Sequence, residues 1–166
     1  DAIASASQRI GNFQGAMRGA FFERDAEISC LLTALVAGEH VLLLGPPGTA
    51  KSALVQAFQG AINSSTTRYF EYLMTRYTTP EELFGVVDIM AFKKGLYQRM
   101  TSGMLPDAHV VFLDEIFKAN SAILNALLTL LNERAYDMGG KRVACPLEIC
   151  IGASNELPEE GQGLGA

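Results

Sequence analysis

Apolar positions recur at helical spacing at Ile10, Phe13, Met17 and Phe21, which predicts an amphipathic helix over residues 1–21. A second helix follows Asp25, with Ile28, Leu31, Leu32 and Leu35 on one face and Gly38 closing it. The pattern then changes to the continuous apolar run Val41-Leu42-Leu43-Leu44, a strand, and returns to helix from Lys51 to about Phe58. Tyr69 to Met74 reads as a strand. Thr79-Pro80-Glu81-Glu82 reads as a helix start, with threonine at the N-cap, proline in the first turn and glutamate closing a capping box. That helix must be short, because Gly85 and the β-rich Val86-Val87 follow at once, and two short strands around Lys93-Lys94-Gly95 predict an inserted hairpin.

The run His109 to Leu113 is apolar without alternation, as in a strand covered on both faces. Leu124, Leu127, Leu128 and Leu131 mark a long helix ending near Arg134. That arginine reads as an exposed helix-end charge or a subunit-interface residue. Tyr136 and Val143 flank Gly139-Gly140-Lys141 in a second predicted hairpin, and Leu147 to Ala153 is the last strand. Helices alternating with apolar strands predict an α/β fold, three-layer αβα with a mainly parallel sheet and two inserted β-hairpins. The expected division is an N-terminal helix, 1–21, before an αβα core, 22–166.

Composition narrows the class. The 166 residues, 49% apolar, can bury one good core but not two. No run approaches the roughly 18 apolar residues of a membrane span, and a cytoplasmic globular domain is expected. A net charge of −5 argues against a surface that coats nucleic acid. Cys30, Cys145 and Cys150 are odd in number and unpatterned. The last two are expected on opposite faces near a strand, and all three read as buried small hydrophobes rather than zinc or disulfide partners.

The chemistry begins at Gly45-Pro46-Pro47-Gly48-Thr49-Ala50-Lys51-Ser52, between a strand and a helix. Strand, glycine-rich turn, Lys-Ser and helix form the context of a phosphate-binding P-loop. Backbone N–H groups surround the anion, and the helix turns its positive end to it. Lys51 would reach the β- and γ-phosphates, and the Ser52 hydroxyl would ligate Mg²⁺. Ala50 stands where a second glycine is usual, which requires negative φ at the helix entrance.

Asp114-Glu115 directly follows the 109–113 strand, and Ser154-Asn155 follows the last one. Ligands of open parallel sheets sit at the carboxyl ends of strands, so three strand ends can face one site. Asp114 would hold Mg²⁺, directly or through water. Glu115 would polarise the water that attacks the γ-phosphate, and the Asn155 amide would sense which nucleotide is bound.

With these sites in hand the chain resembles a AAA+ ATPase, and more closely the MoxR family. GPPGTAKS resembles the MoxR form of the Walker A P-loop, including its alanine before the lysine. FLDEIFKANSAILNALLTLLNER resembles the Walker B strand and following helix, IGASNELPE the sensor 1 strand, and YLMTRYTTPEELFG the segment between. The likeness spans about Phe22 to Pro158 and is nearest to the RavA branch. The hairpins at 86–99 and 135–147 are similar to the helix-2 insert and pre-sensor 1 hairpin of a larger clade that includes MCM helicases and enhancer-binding activators.

The resemblance implies a ring, usually a hexamer, that binds ATP or ADP with Mg²⁺ between subunits and remodels or matures client proteins. It implies a von Willebrand factor A domain protein as partner. By position, Gly45 to Ser52 bind nucleotide, Ser52 and Asp114 handle Mg²⁺, Glu115 is the catalytic base, Asn155 is sensor 1, and Phe22 and Glu23 pass the adenine. Adenine specificity rests on the resemblance, since no NKxD-like element is visible. The family continues, past the point matching Ala166, to an arginine finger, a last strand and a helical lid, so weak hydrolysis is expected of this stretch alone. The rival reading is a nucleic-acid motor or transcription-activator ATPase, prompted by Lys93-Lys94 and Lys141-Arg142 at the hairpin tips.

Overall fold

The computed structural model describes residues 2–62 and 66–156. Helices α1 (Ala2–Ala20) and α2 (Asp25–Ala37) lead into β1 (Val41–Leu44) and α3 (Lys51–Ile62). Then come β2 (Tyr69–Leu73), α4 (Pro80–Phe84), the one-turn α5 (Ile89–Phe92) and β3 (Val110–Asp114). Helix α6 (Ser121–Glu133), the hairpin β4 (Ala135–Met138) and β5 (Lys141–Ala144), and β6 (Ile149–Ser154) complete the described chain.

Four strands form one sheet in the order β1-β6-β3-β2, and all three pairings are parallel. Strand β3 explains the layering. Its alternate residues Val110 and Phe112 pack with α1, α2 and α3, while Val111 and Leu113 pack with α4 and α6. All four are fully buried, which is why their run lacks polar alternation. On one face Met17, Leu31 and Phe58 meet Ile149 and Ile151. On the other Leu83, Ile123 and Leu127 meet Cys150 and Phe70. The result is a three-layer α/β sandwich with a parallel sheet. Helix α1 shares the first of these cores, with Phe13 edge-on to Phe58 at 5.5 Å between ring centroids.

Helix starts are set by local chemistry. The Thr79 N–H donates to Glu82 Oε2 at 2.7 Å, and Asn120 Oδ1 accepts from Ile123 N at 3.0 Å. The C-terminal end of α6 is tied to the sheet. His40 Nδ1 accepts from Cys150 N at 3.0 Å, which leaves Nε2–H to donate to Leu131 O at 3.1 Å.

Four expectations need correction. The 86–99 insert is not a two-stranded hairpin. Asp88 accepts from Met90 N and Ala91 N and so caps α5, and one isolated antiparallel bridge, Val87 to Arg99, closes the segment. Cys145 and Cys150 lie in one apolar cluster rather than on opposite faces, because β6 begins only at Ile149. Burial pushes the Cys150 thiol up to about 12 and raises that of Cys145. Cys30 is exposed instead. Arg134 is not an exposed end charge: its guanidinium donates to Leu147 O at 2.9 Å and to Gly38 O, joining α6 to the turns before β1 and β6. The last part of the sensor-like segment, including Pro158, and the remainder of the 22–166 core to Ala166 lie outside the described residues.

Candidate functional site

The parallel register brings three strand ends together. Leu44 is level with Ser154 and Leu113 with Gly152, so Gly45, Asp114 and Asn155 emerge at the same edge of the sheet. Gly45 N donates to Ser154 O at 3.2 Å, which extends the β1–β6 ladder into the loop. The chain turns at Gly48, whose φ of +78° is open to glycine at little cost. Thr49 Oγ1 braces the turn by donating to Pro46 O at 2.9 Å.

Ala50 contradicts the negative φ expected of it. Its φ is +58°, in the left-handed region, so the substitution for glycine is strained rather than merely tight. The helix fixes this residue in place, because the Ala50 carbonyl accepts from Leu54 N at 2.9 Å and starts α3.

Lys51 and Ser52 open α3 and connect the loop to the other two strand ends. The Lys51 ammonium donates to Gly45 O at 2.6 Å, Pro46 O at 3.0 Å and Asn155 Oδ1 at 2.7 Å. The Asn155 amide in turn donates to Glu115 Oε1. Ser52 Oγ donates to Asp114 Oδ2 at 3.2 Å, and Asp114 Oδ1 accepts from Glu115 N at 2.9 Å. Thus Lys51, Ser52, Asp114, Glu115 and Asn155, far apart in sequence, form one polar cluster.

Glu115 is the most constrained member. It is 8% exposed, has φ of +53°, and its Oε2 is a buried oxygen with no hydrogen bond among the described residues, 3.5 Å from the Lys118 ammonium. Non-glycine residues in this backbone region gather at functional sites, where surrounding structure holds them there. A buried acceptor that lacks a donor costs about 1–3 kcal/mol.

Two clefts flank the loop. One, about 250 Å³, is lined by the loop from Pro47 to Ala53 together with Asp114, Glu115 and Asn155. Ser52 Oγ and Asp114 Oδ2 supply neighbouring hard oxygen donors there, a set that suits Mg²⁺, an ion that keeps several of its waters. The other, about 400 Å³, lies between β1 and the start of α2, lined by Arg24, Glu27, Cys30 and Leu54 among others. Arg24 Nη1 donates to Glu27 Oε1 at 2.8 Å. The hydrogen bond from its own backbone N–H, with help from Arg24, holds the Glu27 carboxyl below its usual range.

The expected adenine neighbours are not among the residues lining this cleft. Phe22 is 88% exposed and Glu23 occupies a left-handed turn position, and neither lines either cleft. Sequence reasoning does not single out Arg24, Glu27 and Cys30. The one signal for them is Asp25, which starts α2 beside the loop and turns one helical face towards it.

Comparison with known proteins agrees with this architecture. Residues 8–166 match the MoxR domain of MoxR–vWA–β-propeller ternary systems. Two uncharacterised proteins of Methanocaldococcus jannaschii are 52% and 51% identical over 145 residues, 87% of this chain. The chaperone MoxR1 of Mycobacterium tuberculosis is 27% identical over 139 residues, 83% of the chain. The chain spans only 37%, 38% and 35% of the length of these three relatives. A crystal structure from Cytophaga hutchinsonii, provisionally described as an ATPase, superposes with a TM-score of 0.65 at 19% identity, covering 99% of this chain and 51% of its own. That likeness shows the fold. With the family match covering nearly the whole sequence, the chain belongs to the MoxR family of AAA+ proteins.

Proposed function

We propose that this chain binds ATP and Mg²⁺ at the P-loop cluster and hydrolyses ATP as the core of a ring-forming, chaperone-like MoxR ATPase. The observation that carries the reading is the convergence of Lys51, Ser52, Asp114, Glu115 and Asn155 in one cleft beside a glycine-rich loop and a helix N-terminus. Gly45 to Ser52 would cradle the phosphates with backbone N–H groups, and Lys51 would neutralise their charge. Ser52 and Asp114 would hold Mg²⁺, which offsets phosphate charge when bound. Glu115 would take the proton from the attacking water, its Oε2 being without a hydrogen bond among the described residues. Asn155, joined to both Lys51 and Glu115, would relate phosphate binding to the orientation of the base.

Assembly belongs to the same proposal: a homo-oligomer, most simply a hexamer, with nucleotide between copies. The matching family, whose MoxR domains occur in ternary systems with vWA and β-propeller proteins, supports a von Willebrand factor A domain partner. The RavA-like placement within the family rests on the motif resemblance alone. No described helix is long and apolar enough to cross a membrane. A DNA-motor reading is less well supported, since the chain is net −5 and one of the four basic tip residues, Arg142, is paired with Glu133.

The test is calorimetry with ATP and Mg²⁺ on the chain and on Lys51→Ala, with circular dichroism to follow folding. Nucleotide binding lost in a folded variant is the expected result. Unchanged affinity would remove the P-loop assignment, and steeply salt-dependent binding to single-stranded DNA would favour the motor reading.

A further inference from the structure

The segment 86–100 puts apolar side chains into water on a well-ordered frame. Of the sixteen large hydrophobic residues exposed among the described residues, seven fall within this stretch of fifteen. Ile89, Met90, Phe92, Leu96 and Met100 are each more than half exposed, whereas Ala91 is the buried residue of α5. Scattered exposed apolar residues need no explanation, but a concentration of them marks an interaction surface.

The frame is held firmly. Asp88 N donates to Gln98 O and Met100 N to Val86 O, both at 2.8 Å. Arg99 donates to Gly85 O at 2.7 Å and pairs with Glu81 at 3.2 Å. At Gly85, φ is +87° and a Cβ would lie 2.0 Å from Met100 O, so only glycine lets the segment close here. The β4–β5 hairpin leans on the same body, because a Cβ at Gly139 would lie 2.8 Å from that of Tyr97. Tyr136 of this hairpin stacks on Phe84 with centroids 5.2 Å apart. The apolar exposure is therefore not the by-product of a loose loop.

Charge narrows what fits. The chain is net −5, yet Lys93, Lys94, Lys141 and Arg142 are carried by these two adjoining segments. Arg142 is engaged by Glu133, while Lys93 and Lys94 are exposed beside the apolar residues. Ile89, Met90, Leu96 and Met100 are aliphatic or thioether and offer adaptable dispersion contact rather than base stacking, with Phe92 and Tyr97 the exposed rings of the segment. The net charge of −5 disfavours single-stranded nucleic acid. A one-turn α5 is too short for an amphipathic helix lying on a lipid surface.

We propose that the 86–100 protrusion docks an acidic segment of a partner protein that carries apolar anchors, with Ile89, Met90, Phe92, Leu96 and Met100 receiving the anchors and Lys93, Lys94 and Lys141 facing the carboxylates. No residue of this segment lines either cleft of the P-loop, so the surface stands apart from the nucleotide site.

The experiment uses fluorescence anisotropy with the whole chain and a short labelled peptide in which Leu and Phe alternate with Glu. The controls replace Glu by Lys, or Leu and Phe by Ser. Binding to the acidic apolar peptide alone is expected. It should weaken about tenfold or more in Met90→Ser/Phe92→Ser, and again in Lys93→Glu/Lys94→Glu. Both variants should keep wild-type ATP affinity, so a failed surface is distinguishable from a failed P-loop. Equal binding of the lysine peptide would overturn the proposal. So would unchanged affinity in both variants, absence of peptide binding, or tighter binding to single-stranded DNA or phosphatidylserine vesicles. Self-association lost in Met90→Ser/Phe92→Ser would assign the patch to a second copy of the chain instead.

Discussion

Ala50→Gly should make the protein more stable, against the ordinary expectation for a glycine placed at a helix entrance. With φ at +58°, the alanine Cβ crowds the following carbonyl, which costs about 1–2 kcal/mol. The side chain is exposed, so its removal sacrifices no core packing. Against the gain stands the greater freedom of glycine in the unfolded chain, about 0.4–1 kcal/mol. The balance is roughly 0.5–1 kcal/mol in favour of the variant. For a domain of this size that raises the melting temperature by about 2–3 °C. Scanning calorimetry of wild type, Ala50→Gly and Ala50→Val decides the matter, because the β-branched variant should move the opposite way. Nucleotide affinity should hold in Ala50→Gly, since the backbone path of the loop is unchanged. A melting temperature that stays level or falls in the glycine variant would refute the left-handed geometry of the loop.

Glu115→Gln should keep ATP binding and slow hydrolysis by about 10² or more, since an amide cannot take the proton from water; near-normal turnover in the longer native protein would reduce Glu115 to a structural role. Cys30, exposed on the Arg24–Glu27 cleft, should label quickly with a thiol reagent while the buried Cys145 and Cys150 react slowly, and saturating ATP should protect it. The adenine of bound ATP is expected in that cleft, which also borders Gly45 and Pro46 of the loop, and a labelling rate indifferent to ATP would move the adenine elsewhere. Glu82 has its carboxyl held below the usual 4.5, first by the Thr79 N–H, so its contribution is present above that pH and is lost as pH falls through the lowered value. Glu82→Gln should therefore flatten the acid side of the stability profile, and an unaltered profile would count against the capping box.

The fold is readable wherever a segment's own pattern decides its state. β3 is an unbroken apolar run because both of its faces are covered, and α4 carries its start signal in four residues. The 86–99 segment misleads because Val86-Val87 has strand propensity, whereas Asp88 two residues before Met90 supplies a cap that turns the chain into α5. Propensity over two residues is weaker than two hydrogen bonds to a cap. The cysteines mislead for a different reason: their faces depend on where β6 begins, and strand boundaries are the least legible feature of a sequence. The polar cluster is foreseeable from three strand ends, but its wiring is not. Nothing in the spacing of Lys51 and Asn155 indicates that their side chains meet at 2.7 Å. The lining of the second cleft is also hidden, because it depends on how α2 is rotated against β1.

That wiring changes how the site must be understood. Lys51 does not stand alone in the loop, since it already has three oxygen acceptors within 3.0 Å and Thr49 Oγ1 at 3.5 Å, and a phosphate must compete with them for the ammonium. One of these acceptors is Asn155, whose amide is at the same time the donor to Glu115 Oε1. Drawing Lys51 towards phosphate therefore loosens Asn155, and any shift of Asn155 alters the only hydrogen bond that the Glu115 side chain makes among the described residues. Its other oxygen has just the Lys118 ammonium near it, 3.5 Å away and half exposed, where solvent weakens the attraction. The P-loop and the base are thus joined through a single amide, just past the end of β6, the strand that separates β1 from β3 in the sheet. Groups connected in this way act as a unit, so losses measured singly at Lys51, Asn155 and Glu115 overlap rather than add.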